Sequence, residues 1–471
     1  MNGGDPLGSS DPLDPTTPVP PLEYASPLKR FLHHDIVGSA LLLIAAVAAL
    51  ILANSPWRDQ YHHIWEIEFG FSIGETGLVK PLHLWVNDGL MAIFFFLVGL
   101  EIKRELLAGE LASFRNAVLP VAAAIGGMVV PAVIYTLING GGEAAAGWGI
   151  PMATDIAFAA GCIALLKRRV PPALMVFLVA LAIVDDLGAV AVIAIFYTDQ
   201  IEMYPLIIGG ALIVVSFCLG KLGVRKTLPF AVIGMIIWVA FLSSGVHATI
   251  AGVLLAFSIP SDARYKARHF EGRVMELVNR FHRANEERIR NLKRPQKGSR
   301  LLVNPRQQDL IRAMSTECHH VEAPLQRIEY NIEPICVFII MPVFAFANSG
   351  LTIDFSTMGH VLMQPVTLGI ILGLVVGKQL GIVAFTWMAV KSGLGSLPAG
   401  VSWRQIYGVS CLAGIGFTMS LFIDELAFPN SEEFLAQGKV GVFVASILAG
   451  VIGLVVLRLA CPLLPVAKQE K

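Results

Sequence analysis

Two aspartates, Asp185 and Asp186, sit side by side in the middle of an apolar run, PALMVFLVALAIVDDLGAVAVIAIFYT, from Pro172 to Thr198. As a helix, this run of about 27 residues is roughly 40 Å long, enough to cross a bilayer, and the pair falls near its midpoint. A carboxylate at that depth costs several kcal/mol, and two adjacent ones do not both ionise without a partner. The pair therefore has to face the interior of a bundle of other spans, and a charge so deep points to a cation or a proton as cargo.

Composition supplies the bundle. The 471 residues are 55% hydrophobic and only 15% charged, with mean hydropathy +0.67, whereas a soluble domain carries about a quarter charged residues. Apolar runs bounded by charged or turn residues predict spans at 36–56, 84–105, 117–138, 148–166, 172–198, 205–223, 228–245, 246–259, 334–353, 365–391, 406–428 and 434–460, about twelve in all. Only Ser243, Ser244 and Gly245 separate the seventh from the eighth. The six cysteines (Cys162, Cys218, Cys318, Cys336, Cys411, Cys461) show neither zinc-site spacing nor a disulfide framework and read as small core residues.

The net charge is zero, but its signs are segregated. Lys29 and Arg30, Lys103 to Arg115, Lys167 to Arg169, Lys221 to Lys226, the basic 261–333 segment, Lys391 and Arg404, and Lys468 and Lys471 all fall on one side of a twelve-span chain. The other side carries acids: Glu66, Glu68, Glu75, Glu143, Asp199, Glu202, Asp354, Glu432 and Glu433. Arg58, Lys80 and Lys439 are exceptions. The positive-inside rule then places both termini in the cytoplasm, and the alternation requires spans seven and eight to be separate crossings. Residues 1–34 are rich in Pro, Asp and Ser, lack an apolar core of the signal-peptide kind, and read as a disordered tail. The division is thus a tail (1–34), spans 1–8 (35–260), a basic cytoplasmic insertion (261–333), spans 9–12 (334–461) and a C-terminal tail (462–471). Within the first outer loop (about 60–80), Trp65, Ile67, Phe69, Phe71 and Ile73 alternate with other residues, which predicts an exposed β-hairpin suited to a dimer contact. The insertion's stretch from Arg268 to Leu292 has helical spacing and reads as a solvated helix, with lipid-headgroup or regulatory contacts as the alternative.

Two predicted spans look interrupted. Span 4, GWGIPMATDIAFAAG, has Pro151 among glycines and places Thr154 and Asp155 at the expected break. Span 11, CLAGIGFTMSLFI, has Gly414 and Gly416 near its middle, with Thr418 and Ser420 just after. A broken span in each half of a chain is a pointer to a transporter site, because irregular backbone at that depth is tolerated only within protein or beside a wet cavity. Span 10 carries Lys378, again near mid-depth, where an ammonium needs a carboxylate: Asp155, Asp185 or Asp186. One lysine with one aspartate would read as an ion pair that fixes helix packing. Three aspartates with one lysine leave negative charge that only a cation or a proton can neutralise.

In this order, ATDIAFA, LAIVDDLGAV, SGVHATIAGV, MPVFAFANSG, GLVVGKQLGI and GIGFTMSLFI resemble the bacterial sodium/proton antiporters of the NhaA type, and the likeness runs from about Leu32 to the last span. The resemblance implies an all-α polytopic membrane protein of about twelve helices. Spans 3–5 and 10–12 would be inverted repeats, with broken spans 4 and 11 crossing at mid-membrane and a homodimer formed through the outer hairpin. It further implies the bacterial inner membrane, Na⁺ or Li⁺ and H⁺ as transported ions, and neither cofactor, enzymatic activity nor nucleic-acid partner. By motif, Asp186 is the principal cation ligand and Asp185 its neighbour, paired with Lys378. Asp155 compensates helix-end charge, with Thr154 beside it as an oxygen ligand. Glu101, Glu105, His247 and Glu329 match positions that shape the family's pH response, although helix-end surface pairs (Glu101, Glu105) or a packing histidine would account for them as well. The long 261–333 segment departs from the short loop associated with the family and puts the transfer of its pH profile in doubt.

Hard cations take oxygen ligands, and the same carboxylates bind protons. Competition at one site combined with alternating access would couple the two ions, and more than one proton per cation would make exchange electrogenic. A Na⁺-coupled solute symporter of related architecture is the alternative. An intramembrane aspartyl protease is disfavoured because its two aspartates lie on different helices, and a cation channel because a buried lysine obstructs conduction.

Overall fold

The computed structural model describes residues 27–461 apart from 74–75, 167–168, 199–200, 264–266, 292–304 and 353–357. The N-terminal tail up to residue 26, the C-terminal tail and the middle of the basic insertion lie outside these residues.

Helix α1 (Pro27–Ala53) is followed by a short α2 (Arg58–Glu66) and two antiparallel strands, β1 (Glu68–Ile73) and β2 (Thr76–Pro81), which pair Glu68 with Pro81 and Ile73 with Thr76. Next come α3 (Leu82–Ala108), α4 (Phe114–Ile138), a 3₁₀ leg (Glu143–Met152) leading into α5 (Ile156–Leu165), and α6 (Pro172–Phe196). Helices α7 (Met203–Lys221), α8 (Thr227–Leu242) and α9 (Ala248–Ser258) complete the first half. The inserted segment holds α10 (Ala267–Asn291) and α11 (Pro305–Val321), packed on each other with Arg273 bonded to Glu317 at 3.1 Å. The second half contains α12 (Pro324–Asn348), a short α13 (Met358–Leu362), α14 (Pro365–Lys391), α15 (Trp403–Leu412), α16 (Phe417–Ala427) and α17 (Glu432–Ala460).

Nine segments among the described residues are helical, long and apolar enough to cross a membrane, and α15 with α16, bent by 48° at their break, make a tenth. Helices α8 and α9 are shorter apolar helices. The chain is thus an all-α polytopic membrane protein. Gly245, at φ 77°, makes the turn between α8 and α9; the left-handed region is where glycine alone has no steric cost.

Four readings differ from those of the sequence. Helix α1 already begins at Pro27, within the residues 1–34 read as a disordered tail. Trp65, expected to start the strand alternation, is helical in α2, and β1 begins only at Glu68. Helix α12 begins at Pro324, ten residues before the predicted span, since a proline in the first turn gives up an N–H that has no helical partner anyway. Glu329, expected in the cytoplasmic segment, therefore belongs to a spanning helix. Cys218 and Cys318 are exposed rather than core residues.

The core gathers where α4, α6, α14, α16 and α17 meet the 3₁₀ leg, around Leu181, Ile193, Ile382 and Phe422. Helices α4 and α14 approach backbone to backbone. A Cβ on Gly126 would strike the carbonyl oxygen of Gly381, and one on Gly381 would strike that of Gly126. Small residues at such contacts are what hold membrane helices together, because lipid offers no hydrophobic drive between them. Gly381→Leu is accordingly expected to destabilise the protein by about 1–3 kcal/mol, seen as a lower melting temperature in detergent. Gly272→Ala, on an open face of α10 with nothing near its Cβ, should leave that temperature unchanged.

Candidate functional site

The breaks in the two interrupted segments are joined to each other. After the 3₁₀ leg the chain is extended at Ala153 to Asp155, and Asp155 is the N-cap of α5, its Oδ1 accepting from the Phe158 amide at 3.1 Å. Its Oδ2 accepts from the amide (3.1 Å) and the hydroxyl (2.5 Å) of Thr418, in the first turn of α16. Its own N–H donates to the Ile415 carbonyl at 2.7 Å. One carboxylate thereby serves two helix N-termini, where anions are favoured. Ser420 adds a further tie, donating to the Ile150 carbonyl at 2.8 Å. Two tyrosines brace the 3₁₀ leg: the Tyr135 hydroxyl donates to Ala144 O at 2.8 Å, and that of Tyr197 to Ala146 O at 2.6 Å.

Asp185 and Asp186 are both about 1% exposed and lie on α6, where consecutive residues are rotated by about 100°. One step along the chain gives them different neighbours. Asp185 Oδ2 is ion-paired with Lys378, which is fully buried, and accepts from the Thr154 hydroxyl at 2.7 Å. Lys378 also donates to Thr154 Oγ1 at 2.7 Å, and that oxygen lies 2.9 Å from the Ala413 carbonyl, an alternative acceptor for its single proton. A π-helical turn at Gly373–Gly377 immediately precedes Lys378, an irregularity frequent at functional sites. Of the three aspartates offered by the sequence, Lys378 thus takes Asp185. Neither oxygen of Asp186, nor Oδ1 of Asp185, has a hydrogen-bond partner among the described residues. The charged groups close enough to act on Asp186 are Asp185, Glu101, Asp155 and Lys378.

The structure brings Thr154, Asp185 and Lys378 into one hydrogen-bonded cluster, bonds Asp155, next to Thr154 in the chain, to Thr418 instead, and sets Asp186 beside the cluster without bonding it in. The four positions that the resemblance matches to the family's pH response divide. Arg104 binds Glu329 and also reaches Glu105 at 3.4 Å, while Glu105 Oε2 accepts from the Glu110 amide at 3.1 Å. Glu101 lies one turn back along α3 from Glu105, facing Asp186 and Arg104 electrostatically. His247 is elsewhere. It sits at the start of α9, its ring edge-on to Phe422 (5.4 Å between centroids), with Nδ1 2.8 Å from Thr249 Oγ1 and Nε2 3.9 Å from Asp88, which Lys80 holds at 3.1 Å.

Two cavities stand out among the described residues. The larger, about 760 Å³, is an apolar groove between α3, α8 and α9 lined by Trp85, Trp238 and Phe230, away from the aspartates. The smaller, about 440 Å³, opens between α4, α6 and the loop at Ser396–Ala399, and carries Glu110, Arg115 and Asn116 at its mouth. It reaches Ala180, whose Cα is roughly 7 Å along the helix from that of Asp185.

Sequence reasoning misses three groups. Arg104 reads from sequence as a topology charge and a surface partner of Glu101 and Glu105, yet it also binds Glu329. Asp88 was not singled out, and it accounts for Lys80. Asp424, on α16, is fully buried; it falls near the predicted end of span 11, where an acid passes for the start of a loop. Its i,i+4 relation to Ser420 is the signal that would have placed it inside.

A helical bundle that buries three carboxylates and an ammonium where two broken helices meet is organised as an ion-coupled secondary transporter, not an enzyme. Comparison of sequences identifies which kind. Residues 29–457 match the family described as Na⁺/H⁺ antiporter 1, and the chain belongs to it. It is 46% identical over 428 residues to the Na(+)/H(+) antiporter NhaA 1 of Saccharophagus degradans, covering 91% of this chain and 90% of that one. It is 44% identical over 436 residues to the NhaA antiporter of Sulfurimonas denitrificans (92% and 95% covered), and 46% identical over 432 residues to that of Koribacter versatilis (92% and 91%).

Removing one partner of a buried pair strands the other charge. Lys378→Met is expected to destabilise the protein by about 3–5 kcal/mol, and adding Asp185→Asn should restore much of the loss. Thermal unfolding of the two single variants and the double one, as a cycle, measures this. Additive losses would show that the pair is not coupled.

Proposed function

We propose that the protein expels cytoplasmic Na⁺ or Li⁺ in exchange for external H⁺, with both ions competing for the carboxylates at the helix crossing. The observation that carries this reading is Asp186: a buried carboxylate, with neither oxygen hydrogen-bonded among the described residues, one residue from an aspartate already neutralised by lysine. A hard monovalent cation finds oxygen ligands there, in Asp186, the remaining oxygen of Asp185 and backbone carbonyls of the breaks. When the cation leaves, a proton neutralises Asp186. Since the site holds one or the other, alternating exposure exchanges them. The cavity that reaches Ala180 supports access from the side of Arg115, the basic and therefore cytoplasmic face. Membership of the Na⁺/H⁺ antiporter family favours exchange over a solute symporter.

The same reading puts the chain in the bacterial inner membrane with both termini cytoplasmic. Two of the three cations that break the charge rule support this orientation, because they are ion-paired: Lys80 with Asp88 at 3.1 Å and Lys439 with Glu425 at 2.9 Å. Counting the bent pair once and adding α8 and α9 gives twelve crossings, with inverted repeats in spans 3–5 and 10–12. The strand pair then lies outside the cytoplasm, and exposed Ile67, Phe69 and Val79 suit it to contact a second protomer. Glu101, Glu105 and Glu329, tied together through Arg104, are a pH-responsive cluster at the cytoplasmic end, and His247 is a second one near the outer surface.

The deciding experiment is a dye assay in everted vesicles for a pH change driven by Na⁺ with no organic solute present. Exchange is expected with the wild-type protein and absent with Asp186→Asn, which should fold normally. Na⁺-dependent proton release by Asp186→Asn would refute the assignment. In proteoliposomes the rate should respond to an imposed membrane potential; indifference to it would rule out electrogenic exchange.

A further inference from the structure

Asp424 is, among the described residues, a further buried aspartate of the helix crossing's own elements, and nothing above uses it. It is 0% exposed, and neither of its oxygens has a hydrogen-bond partner among the described residues. Room for it is made by α17, since a Cβ on Gly438 would collide with both carboxylate oxygens. Lys439, the next residue, is the cation closest in charge effect, but its ammonium is bound to Glu425 at the helix edge, 2.9 Å away. The remaining titratable groups within electrostatic reach are the hydroxyls of Tyr135 on α4 and Tyr197 at the end of α6, both already donating to the 3₁₀ leg. An ionised carboxylate with no donor is far costlier to bury than a neutral acid, so in this conformation the carboxyl holds a proton.

Its place on the helix gives that proton a route. Thr418, Ser420 and Asp424 follow one another along α16, all fully buried. Thr418 bonds Asp155 at the crossing, and Ser420 bonds Ile150 on the neighbouring leg. Asp424 lies about 9 Å further along the axis than Thr418, toward the end where α16 turns into α17 and Glu432 and Glu433 begin the last helix. We propose that Asp424 is a second proton-binding site, separate from Asp185 and Asp186, that passes protons between the outer solution and the helix crossing. This rests on the antiport reading for its direction. The step is a single proton transfer: the Asp424 O–H bond breaks, the proton moves to water, and Lys439 swings from Glu425 to the carboxylate left behind. Intramembrane carboxyls that relay protons elsewhere work on the same physics.

The test uses the purified full-length chain and the same chain in proteoliposomes. Infrared spectra are expected to show a carbonyl-stretch band of a buried protonated carboxyl that disappears in Asp424→Asn. In the liposomes, Asp424→Asn should slow exchange on the order of tenfold or more at alkaline external pH, where proton supply limits turnover, and leave the Na⁺ dependence of turnover unchanged. Lys439→Gln, a change at a partly exposed side chain, should slow exchange in the same pH range, and it provides the readout if Asp424→Asn fails to fold. An unchanged pH profile in Asp424→Asn, or in Lys439→Gln where the former does not fold, would reduce Asp424 to a packing group and overturn the proposal, as would absence of the infrared band. Wild-type liposomes that show no Na⁺-driven proton movement would instead overturn the antiport reading, while the infrared band would still decide whether Asp424 binds a proton.

Discussion

Breaking a helix inside a membrane exposes amides and carbonyls that lipid cannot satisfy. The fold depends on how this protein answers that cost twice with one residue. Asp155 accepts from the first turn of α5 and from the first turn of α16, and its amide takes the carbonyl of Ile415. Each helix start carries roughly half a positive charge, so the two together match one carboxylate. Remove that carboxylate and neither break has a reason to persist. Thr154 and Ala413, which position the next layer of the site, belong to the same two breaks.

From that anchor the asymmetry of the aspartate pair follows. Thr154 is fixed by its place beside Asp155, and it bridges Asp185 and Lys378. Lys378 reaches them because α14 lies against α4 with almost nothing between the backbones; its stem passes Gly127, where a Cβ would stand 3.7 Å from the lysine Cδ. Packing of small residues, rather than any polar contact, therefore brings the ammonium to depth. Asp186 is turned away from this arrangement by a single residue's rotation on α6. The two acids are identical in sequence terms and unlike in their surroundings.

Much of this is legible in the sequence because membranes impose simple rules. Spans announce themselves as apolar runs, and α14 and α6 begin where predicted, at Pro365 and Pro172, since proline fixes a helix start. The breaks at Ala153–Asp155 and at Gly414–Gly416 are legible through proline and glycine. What is not legible is pairing across the bundle. Lys378 had three possible partners, and only the way α14 packs on α4 selects Asp185. Arg104 with Glu329 joins residues 225 positions apart, which no local pattern encodes. Periodicity also misreads Trp65, because the last turn of the short amphipathic helix α2 (Arg58–Glu66) and a strand start look alike over so few residues. Asp424 escapes for the opposite reason: an acid within a turn of a span's end is usually solvated, and only the tight seat over Gly438 buries it.

The charge count at the crossing then explains why such a site should exchange ions at all. Two helix ends neutralise Asp155, and Lys378 neutralises Asp185. Asp186 has no fixed cation of its own, and the other charges acting on it, apart from Lys378, are acids. A buried negative charge without a partner is too costly to persist, so on the proposed reading either a proton or a metal cation sits on Asp186. A second buried cation placed against Asp186 would abolish that requirement. On that reading the missing positive charge is the functional element: it would make each ion's departure conditional on the other's arrival, with the rest of the bundle keeping the two conditions on opposite sides of the membrane.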